Sequence, residues 1–357
     1  MVNKMKALIA MSGGVDSSVA AYLAQQKGYD CTGITLKLFD GDDVERDKTC
    51  CSLDDIEDAR SVCRAIGIPY YVYNFKDSFR ENVIDRFIRA YETGATPNPC
   101  IDCNRYIKFE KLLRRAEELR FDKVVTGHYA QVAYEESSGR WLLKKAADSS
   151  KDQSYVLYAL TQEQLRCVYF PLGGMTKQET RALAEQLGLY NAKKRDSQDI
   201  CFVPDGKYAD FIERYTGKTY PHGDFVDESG RVLGEHKGII RYTVGQRKGL
   251  GLALPAPMYV KAKDLAENKV ILCDNASLFS RELTATDINL IAVERIEGAM
   301  RVKARVRYNQ PEQPATVTQP DENTLRIVFD EPQRAICKGQ AVVLYDNDTV
   351  IGGGVIA

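Results

Sequence analysis

Apolar residues fall in two textures along this 357-residue chain, and the change comes near Asp205. Before it, short apolar runs alternate with stretches of helical period. KALIAM from Lys6 is a short strand, and Asp16 to Lys27 follows as a helix with Val19, Ala20 and Leu23 on one face. CTGITLKLF from Cys31 is a second strand, and Ser52 to Ile66 a helix with a stripe of Ile56, Ala59, Cys63 and Ile66. YYVYNF from Tyr70 and KVVTGH from Lys123 are later strands. Apolar positions three and four apart line one helix face, whereas short apolar runs between turn residues make buried strands. Alternation of the two predicts a parallel sheet covered by helices on both faces. After Pro171, Thr176 and Glu179 stand at capping-box spacing before a helix that stops at Gly188.

Beyond Asp205, apart from a helical run at Tyr208 to Tyr215, the segments are short, alternating, and divided by Gly, Asn and Asp turns. That texture predicts small β units, with a barrel as the closure at the C-terminus. The expected organisation is an α/β domain over residues 1–205, a small mainly-β central domain over 206–280 and a C-terminal β-barrel over 281–357.

Composition sets the compartment. Hydrophobic content of 44% and charged content of 28% are ordinary for a globular protein. The apolar run at the N-terminus is too short for a signal peptide, and no window approaches a membrane span. The expectation is a cytoplasmic enzyme with no membrane partner. Its ten cysteines are then expected to be mostly reduced, not a disulfide framework. A net charge of −1 argues against non-specific coating of nucleic acid but leaves room for a local basic face.

The strongest chemical signal is MSGGVDSS, Met11 to Ser18, between the first strand and the first helix. Gly13 and Gly14 permit tight backbone geometry, so several N–H groups can converge on one anion, and the hydroxyls of Ser12, Ser17 and Ser18 add donors. This makes the first domain a nucleotide-binding one. The loop is not a Walker A motif, since no Gly-Lys-Ser/Thr follows. Asp16 beside a phosphate site is expected to cap the helix or help hold Mg²⁺.

SGGVDSS resembles the pyrophosphate-binding loop of ATP-pyrophosphatases. TPNPCIDCNRYIKF, TGHYA, KDQSYVLY, DSQDICF, YTVGQRKGLG and the terminal GQAVVLYD and GGGVI resemble, in that order, the bacterial tRNA-specific 2-thiouridylases. The resemblance runs over nearly the whole chain. It implies an enzyme that replaces the 2-oxygen of the wobble uridine (anticodon position 34) with sulfur, using ATP, Mg²⁺ and a cysteine persulfide. It implies ATP binding by Ala10, Met11, Ser12, Gly13, Gly14, Val15, Asp16 and Ser17, with Leu36 and Gly127 near the adenosine. It places Asn98, Pro99 and Cys100 at the target base, and His128, Lys151, Asp152, Gln153, Arg307, Tyr308 and Gln340 at the tRNA. The implied partners are the tRNA anticodon stem-loop and an upstream persulfide donor protein.

The cysteines divide by setting. Cys63 lies on an apolar helix stripe, Cys31, Cys273 and Cys337 in strand-like segments, and Cys167 beside an apolar helix end, so all five read as small buried hydrophobes. Cys50 and Cys51 sit in a polar loop that decides nothing. Cys103 and Cys201 are expected in loops, where a thiolate can be exposed and tuned. The resemblance makes Cys201 the persulfide carrier and Cys103 the thiol that attacks its inner sulfur, expelling the outer one and leaving a redox-active Cys103–Cys201 disulfide. Cys100 departs from the family, many of whose members carry Asp there. It leaves open a [4Fe–4S] cluster on Cys100, Cys103 and Cys201; with three histidines in the chain, zinc is disfavoured.

RVKARVRY alternates strictly, with Arg301, Lys303, Arg305 and Arg307 on one strand face. Spacing alone favours a solvated outer strand, and the resemblance turns it toward RNA. RYTVGQRKGLG, with Arg241, Arg247 and Lys248, suits phosphate contact. Two other readings remain: a small-molecule ligase of the ATP-pyrophosphatase group, which leaves the paired cysteines and the basic strand unexplained, and a non-catalytic RNA-binding or sulfur-relay protein, which needs no intact phosphate loop.

Overall fold

The computed structural model describes residues 4–39, 53–194 and 200–357. Cys50, Cys51, Ser52 and much of the DSQDICF motif lie outside the described residues; Cys201 lies within them. The first sheet holds β1 (Lys6–Ala10), β2 (Asp30–Lys37), β3 (Tyr70–Asn74), β4 (Lys123–Val125) and, after a hairpin, β7 (Val168–Tyr169), in the order β3-β2-β1-β4-β7. All neighbours are parallel. Strand period explains the two-sided core. Ala7 and Ile9 join one apolar cluster with α1 (Val15–Gln26) and α2 (Leu53–Ile66), whereas Leu8 joins another beneath the helices that follow Asn74.

The chain runs outward from β1 to β2 and β3, then returns to place β4 on the other side of β1. The crevice between the carboxyl ends of β1 and β4 is therefore the topological switch point, where open α/β sheets bind ligands. MSGG leaves β1 there, and Thr126 to His128 leave β4.

The central domain is a four-stranded sheet, ordered β10-β11-β8-β9, of β8 (Gly223–Asp227), β9 (Val232–His236), β10 (Tyr259–Asp264) and β11 (Lys269–Cys273). The helix Tyr208–Thr216 precedes it and ends at Gly217 in the left-handed conformation. The C-terminal strands β12 (Phe279–Leu290), β13 (Ala299–Arg305), β14 (Gln313–Asp321), β15 (Thr324–Arg334), β16 (Ala341–Asp346) and β17 (Thr349–Ile356) run in the order β12-β15-β14-β13-β16-β17. A β12–β17 pairing closes them into a six-stranded barrel. The fold class is thus an α/β parallel-sheet domain, a small mainly-β domain and a β-barrel. The hairpin β5 (Gln131–Glu135) and β6 (Arg140–Lys144) belongs in sequence to the first unit, yet β6 pairs with β17 through Lys144 and Thr349.

Three local expectations are corrected. The basic strand ends at Arg305, so Arg307 and Tyr308 lie in the turn that follows. Cys337 is buried as expected, but in a turn after β15. Cys103 is helical: Asn98 and Pro99 start a helix that runs through Asp102 into a π-helical stretch, Cys103–Lys111, and on to Glu118. An Asn whose side chain accepts from Cys100 N at 3.1 Å, followed by Pro in the first helical position, is a strong start signal.

The barrel meets the segment leading into the Cys103 helix at Gly339. Its φ is +87°, and a Cβ there would stand 2.8 Å from Ala95 Cβ and 3.1 Å from Thr96 N. Gly339→Ala is expected to destabilise by about 1–3 kcal/mol, read as a lower denaturation midpoint. An unchanged midpoint would show that this junction yields without cost.

Candidate functional site

The loop after β1 is held from three sides. Gly13 has φ +73°, and a Cβ on it would lie 2.5 Å from Asp55 O, so the loop rests directly on the start of α2. Thr35 Oγ1 donates to Met11 O at 2.8 Å from β2. Asn191 Nδ2 donates to Gly13 O at 2.9 Å and to Ser18 Oγ at 2.8 Å. Within the loop, Ser12 N donates to Ser17 Oγ, and the Ser17 and Ser18 hydroxyls donate to Gly14 O, each at 3.0 Å. Gly14 is the N-cap, so Asp16 is not. The first N–H groups of α1 have no partner within the helix and open onto the switch-point crevice. Gly127 packs directly against the start of α1, where a Cβ on it would stand 2.7 Å from Ser17 N and from Asp16 C.

Asp16 is tied into an ion pair instead. Lys177 Nζ reaches its two oxygens at 2.7 and 2.8 Å, and Tyr129 Oη stands 2.9 Å from Oδ1. Lys194 likewise joins Asp55 and Asp58, at 2.6 Å each. Burial alone would lower the Lys194 ammonium, but the two carboxylates outweigh it and hold its pKa above the ordinary value. Sequence reasoning missed Lys177, Asn191 and Lys194. The capping box that fixes Lys177 was visible, and Asp55 and Asp58 stand three apart on one helix face, but neither pattern names a distant partner.

Cys103 is buried, 9% exposed, in the apolar cluster that includes Leu36, Phe79, Phe202 and Val203. Cys201, half-buried in the turn Ile200–Val203, packs against the same cluster. Both cysteines and the expected adenosine contact Leu36 thus belong to one extended apolar core, which runs from the first sheet into the central domain. Cys100 is exposed. Among the described residues no three or more His, Cys, Asp or Glu side chains converge to hold a metal, and one exposed and one buried cysteine on the same helix do not make a cluster cradle with Cys201.

Asn104 follows Cys103, is 4% exposed, donates to Val156 O at 3.1 Å, and keeps Oδ1 buried without a partner. Arg105 makes a two-point bond to Asp287 of the barrel, at 2.5 and 3.0 Å. Asp102, beside Cys103, has its pKa raised by burial despite Arg86 nearby.

The residues expected at the tRNA form internal ties. Asp152 is 7% exposed and accepts from Ala146 N and the Ser154 hydroxyl. Gln153 Oε1 accepts from Tyr129 N at 2.9 Å. Tyr308 donates to Asp152 O at 3.2 Å, and Arg305 stands 3.9 Å from the Asp152 carboxylate. Arg307 donates to Ala335 O and Val244 O, and Gln340 donates to Thr96 O at 2.7 Å, just before Asn98. Lys151 is half-buried at the same turn. His128 lies in the interior between Phe109 and Phe170, with Nδ1 2.6 Å from Thr126 Oγ1.

A glycine- and serine-rich loop opening a helix at the switch point of a parallel sheet defines a nucleotide-binding α/β enzyme. Residues 5–205 match the family model described as the tRNA methyl transferase HUP domain, 209–274 the tRNA methyl transferase PRC-barrel domain, and 280–356 the aminomethyltransferase beta-barrel domain. The chain is 50% identical over 357 residues to the tRNA-specific 2-thiouridylase MnmA of Clostridioides difficile, covering 100% of this chain and 99% of that one. It is also 50% identical over 358 residues to the protein of the same name from Acetivibrio thermocellus, covering 99% and 100%. It belongs to the tRNA-specific 2-thiouridylase family. A solved 4-thiouridine synthetase–RNA complex with bound ATP aligns over 59% of this chain and 50% of its own, with TM-score 0.35 and 19% identity, too remote to bear on the site.

Burial, with Lys108 nearby, holds the His128 imidazole well below its usual 6.5, so it is neutral when folded. The unfolded chain then takes up the proton first as pH falls. The stability involved is complete above about pH 6.5 and is lost as pH drops toward the folded-state value. His236, also lowered by burial, acts with the same sign. His128→Gln is expected to flatten, without abolishing, the fall in denaturation midpoint between about pH 7.5 and pH 5. Equal slopes in the two proteins would remove His128 as a source.

Proposed function

We propose that this chain is an ATP-dependent tRNA sulfurtransferase that converts the wobble uridine of the anticodon to 2-thiouridine. The observation that supports the reading is the loop after β1, a glycine–serine turn held against α2 and Asn191 at the start of a helix, in a chain whose Cys103 and Cys201 both belong to the apolar core that contains Leu36. Full-length similarity to proteins named tRNA-specific 2-thiouridylase supports the substrate. The small-molecule ligase and the non-catalytic relay would each leave one half of this arrangement without use.

In this reading the triphosphate lies across Ala10 to Ser17, its charge met by the N–H groups at the start of α1, with Gly127 giving the close approach. The uridine 2-oxygen attacks the α-phosphate; pyrophosphate leaves, and the oxygen becomes part of an AMP leaving group. The Cys201 persulfide carries sulfur to C2, Cys103 attacks its inner sulfur, and AMP departs as the carbon–sulfur bond forms. Mg²⁺ would come bound to the triphosphate, because Asp16, Asp55 and Asp58 are all engaged by lysines. The target base must leave its stack to reach this depth, and Asn98, Pro99 and Cys100 line its entry. Thiol exchange is preferred to a [4Fe–4S] cluster because Cys100 and Cys103 differ so much in exposure. An upstream persulfide donor protein loads Cys201, and the cytoplasm, where tRNA and ATP are, is the setting. The three units, 1–205, 206–280 and 281–357, divide the work into chemistry, linkage and docking of the anticodon stem-loop, with Arg307, Tyr308 and Gln340 shaping the barrel side of the entrance.

The two half-reactions are separable. Cys201→Ser is expected to abolish thiolation while keeping tRNA-dependent pyrophosphate release, and Asp16→Ala to lose both by freeing Lys177 and Tyr129 at the loop. Loss of pyrophosphate release in a folded Cys201→Ser protein would contradict this division, and release driven by a small acid in place of tRNA would favour a ligase.

A further inference from the structure

Cys100 lines the entry in the scheme above but takes no part in its bond-making, and its placement suits it to a chemical step as well. We propose that Cys100 is the resolving thiol of the sulfur-transfer cycle: it takes over the Cys103–Cys201 disulfide left by each turnover, frees Cys201 for reloading, and presents a surface Cys100–Cys103 disulfide to an external dithiol reductant. The inference rests on the Cys103 and Cys201 roles proposed above.

Geometry permits the exchange. Residues 99–102 are helical and Cys103 continues in the same conformation, with its N–H bonded to Cys100 O. Helical residues three apart have Cα atoms about 5 Å from one another, inside the range a disulfide spans. The bond thus needs side-chain rotation and little backbone movement.

Access makes the exchange necessary. Cys103 is 9% exposed among Phe79, Phe202 and Val203, and Cys201 is half-buried against the same cluster. A disulfide between them lies in apolar surroundings, where a reductant protein cannot bring its own thiolate into line with the S–S axis. Cys100 is exposed, on the same helix, and one helical turn from Cys103. It also lies close to the barrel junction: four residues before it, Thr96 O accepts from Gln340 Nε2 of the barrel at 2.7 Å. The exposed thiol therefore stands at the seam between barrel and catalytic helix, where a partner can reach it. An intramolecular thiol held at this spacing competes strongly with any free one.

The steps balance. In the transfer, the Cys103 thiolate bonds to the inner sulfur of the Cys201 persulfide as the outer sulfur leaves for C2 of the activated uridine. The Cys100 thiolate next attacks Sγ of Cys103; the Cys100–Cys103 bond forms, the Cys103–Cys201 bond breaks, and the electron pair leaves on Cys201 as a thiolate. A dithiol then attacks Sγ of Cys100 and closes to its own disulfide, giving two electrons and two protons that restore the Cys100 and Cys103 thiols.

The test is a single turnover with persulfide-loaded enzyme, quenched in acid, alkylated with N-ethylmaleimide and mapped by mass spectrometry. The wild type is expected to show a Cys100–Cys103 disulfide with Cys201 alkylated, and Cys100→Ser a Cys103–Cys201 disulfide. With thioredoxin as sole reductant and a persulfide donor in excess, Cys100→Ser, whatever its initial rate, should stop at about one thiolated tRNA per enzyme. A small phosphine should restore its repeated turnover. Wild-type protein that accumulates only Cys103–Cys201, or Cys100→Ser that turns over repeatedly with thioredoxin, overturns the proposal and leaves the sulfur-transfer reading standing. Thiolated tRNA formed with no disulfide at Cys103 overturns both.

Discussion

The structure hangs on what Tyr129 holds together. Its backbone exchanges two hydrogen bonds with Gln153, and its hydroxyl stands 2.9 Å from Asp16 and 3.0 Å from Thr180. Through Asp16 it touches the phosphate loop and Lys177; through Gln153 and its neighbour Asp152 it reaches Tyr308 and Arg305 on the barrel. One residue just after β4 therefore links the nucleotide site to the far domain by a chain of mostly part-buried polar contacts. Buried polar groups are costly unless satisfied, so such a network has few alternative arrangements. A displacement at Tyr308 or Arg305 on the barrel and the ordering of the loop at Asp16 are then not independent.

How much of this was legible depends on the range of the signal. Period and punctuation foretold β1, α1, β2, β3, the Thr176 capping box and the barrel-like C-terminus, because each is set by residues within a few positions. Motif order foretold the family to which the full-length relatives belong. What stayed hidden was long-range and polar: Lys177 to Asp16 spans 161 positions and Asn191 to Ser18 spans 173. A lysine after a cap or an asparagine after a helix carries no mark of its partner. The placement of Cys103 is a different case, because its local signal was present. Asn98 and Pro99 announce a helix, yet polar turn residues around them favoured a loop.

The basic residues show a related limit. Alternation in RVKARVRY was read as one charged face, but Arg301 pairs with Asp330, Arg305 turns to Gln310 O and Asp152, and Arg307 donates to two carbonyls. Arg241 likewise bonds to Asp210 and Glu213. Spacing counts charges; it does not say which are already engaged within the protein. Much of the Arg complement in these motifs is engaged in ties within the protein, while Lys303, Arg247 and Lys248 are exposed.

That division bears on how a chain of nearly zero net charge can handle RNA. A protein that binds by phosphate neutralisation needs many exposed cations and has a steep salt dependence. Here arginines are spent on rigidity: the two-point Arg105–Asp287 bond pins the helix of Cys103 to β12, and Arg307 joins the turn after β13 to the central domain. The proposed recognition accordingly draws on fixed shape and an unstacked base, with a small electrostatic contribution from exposed cations. The same rigidity keeps Cys103 buried in apolar surroundings. On the proposed mechanism, a sulfur atom handed over there is shielded from water and from stray thiols, and the cost of that shielding is that a disulfide formed there is hard to reach from outside.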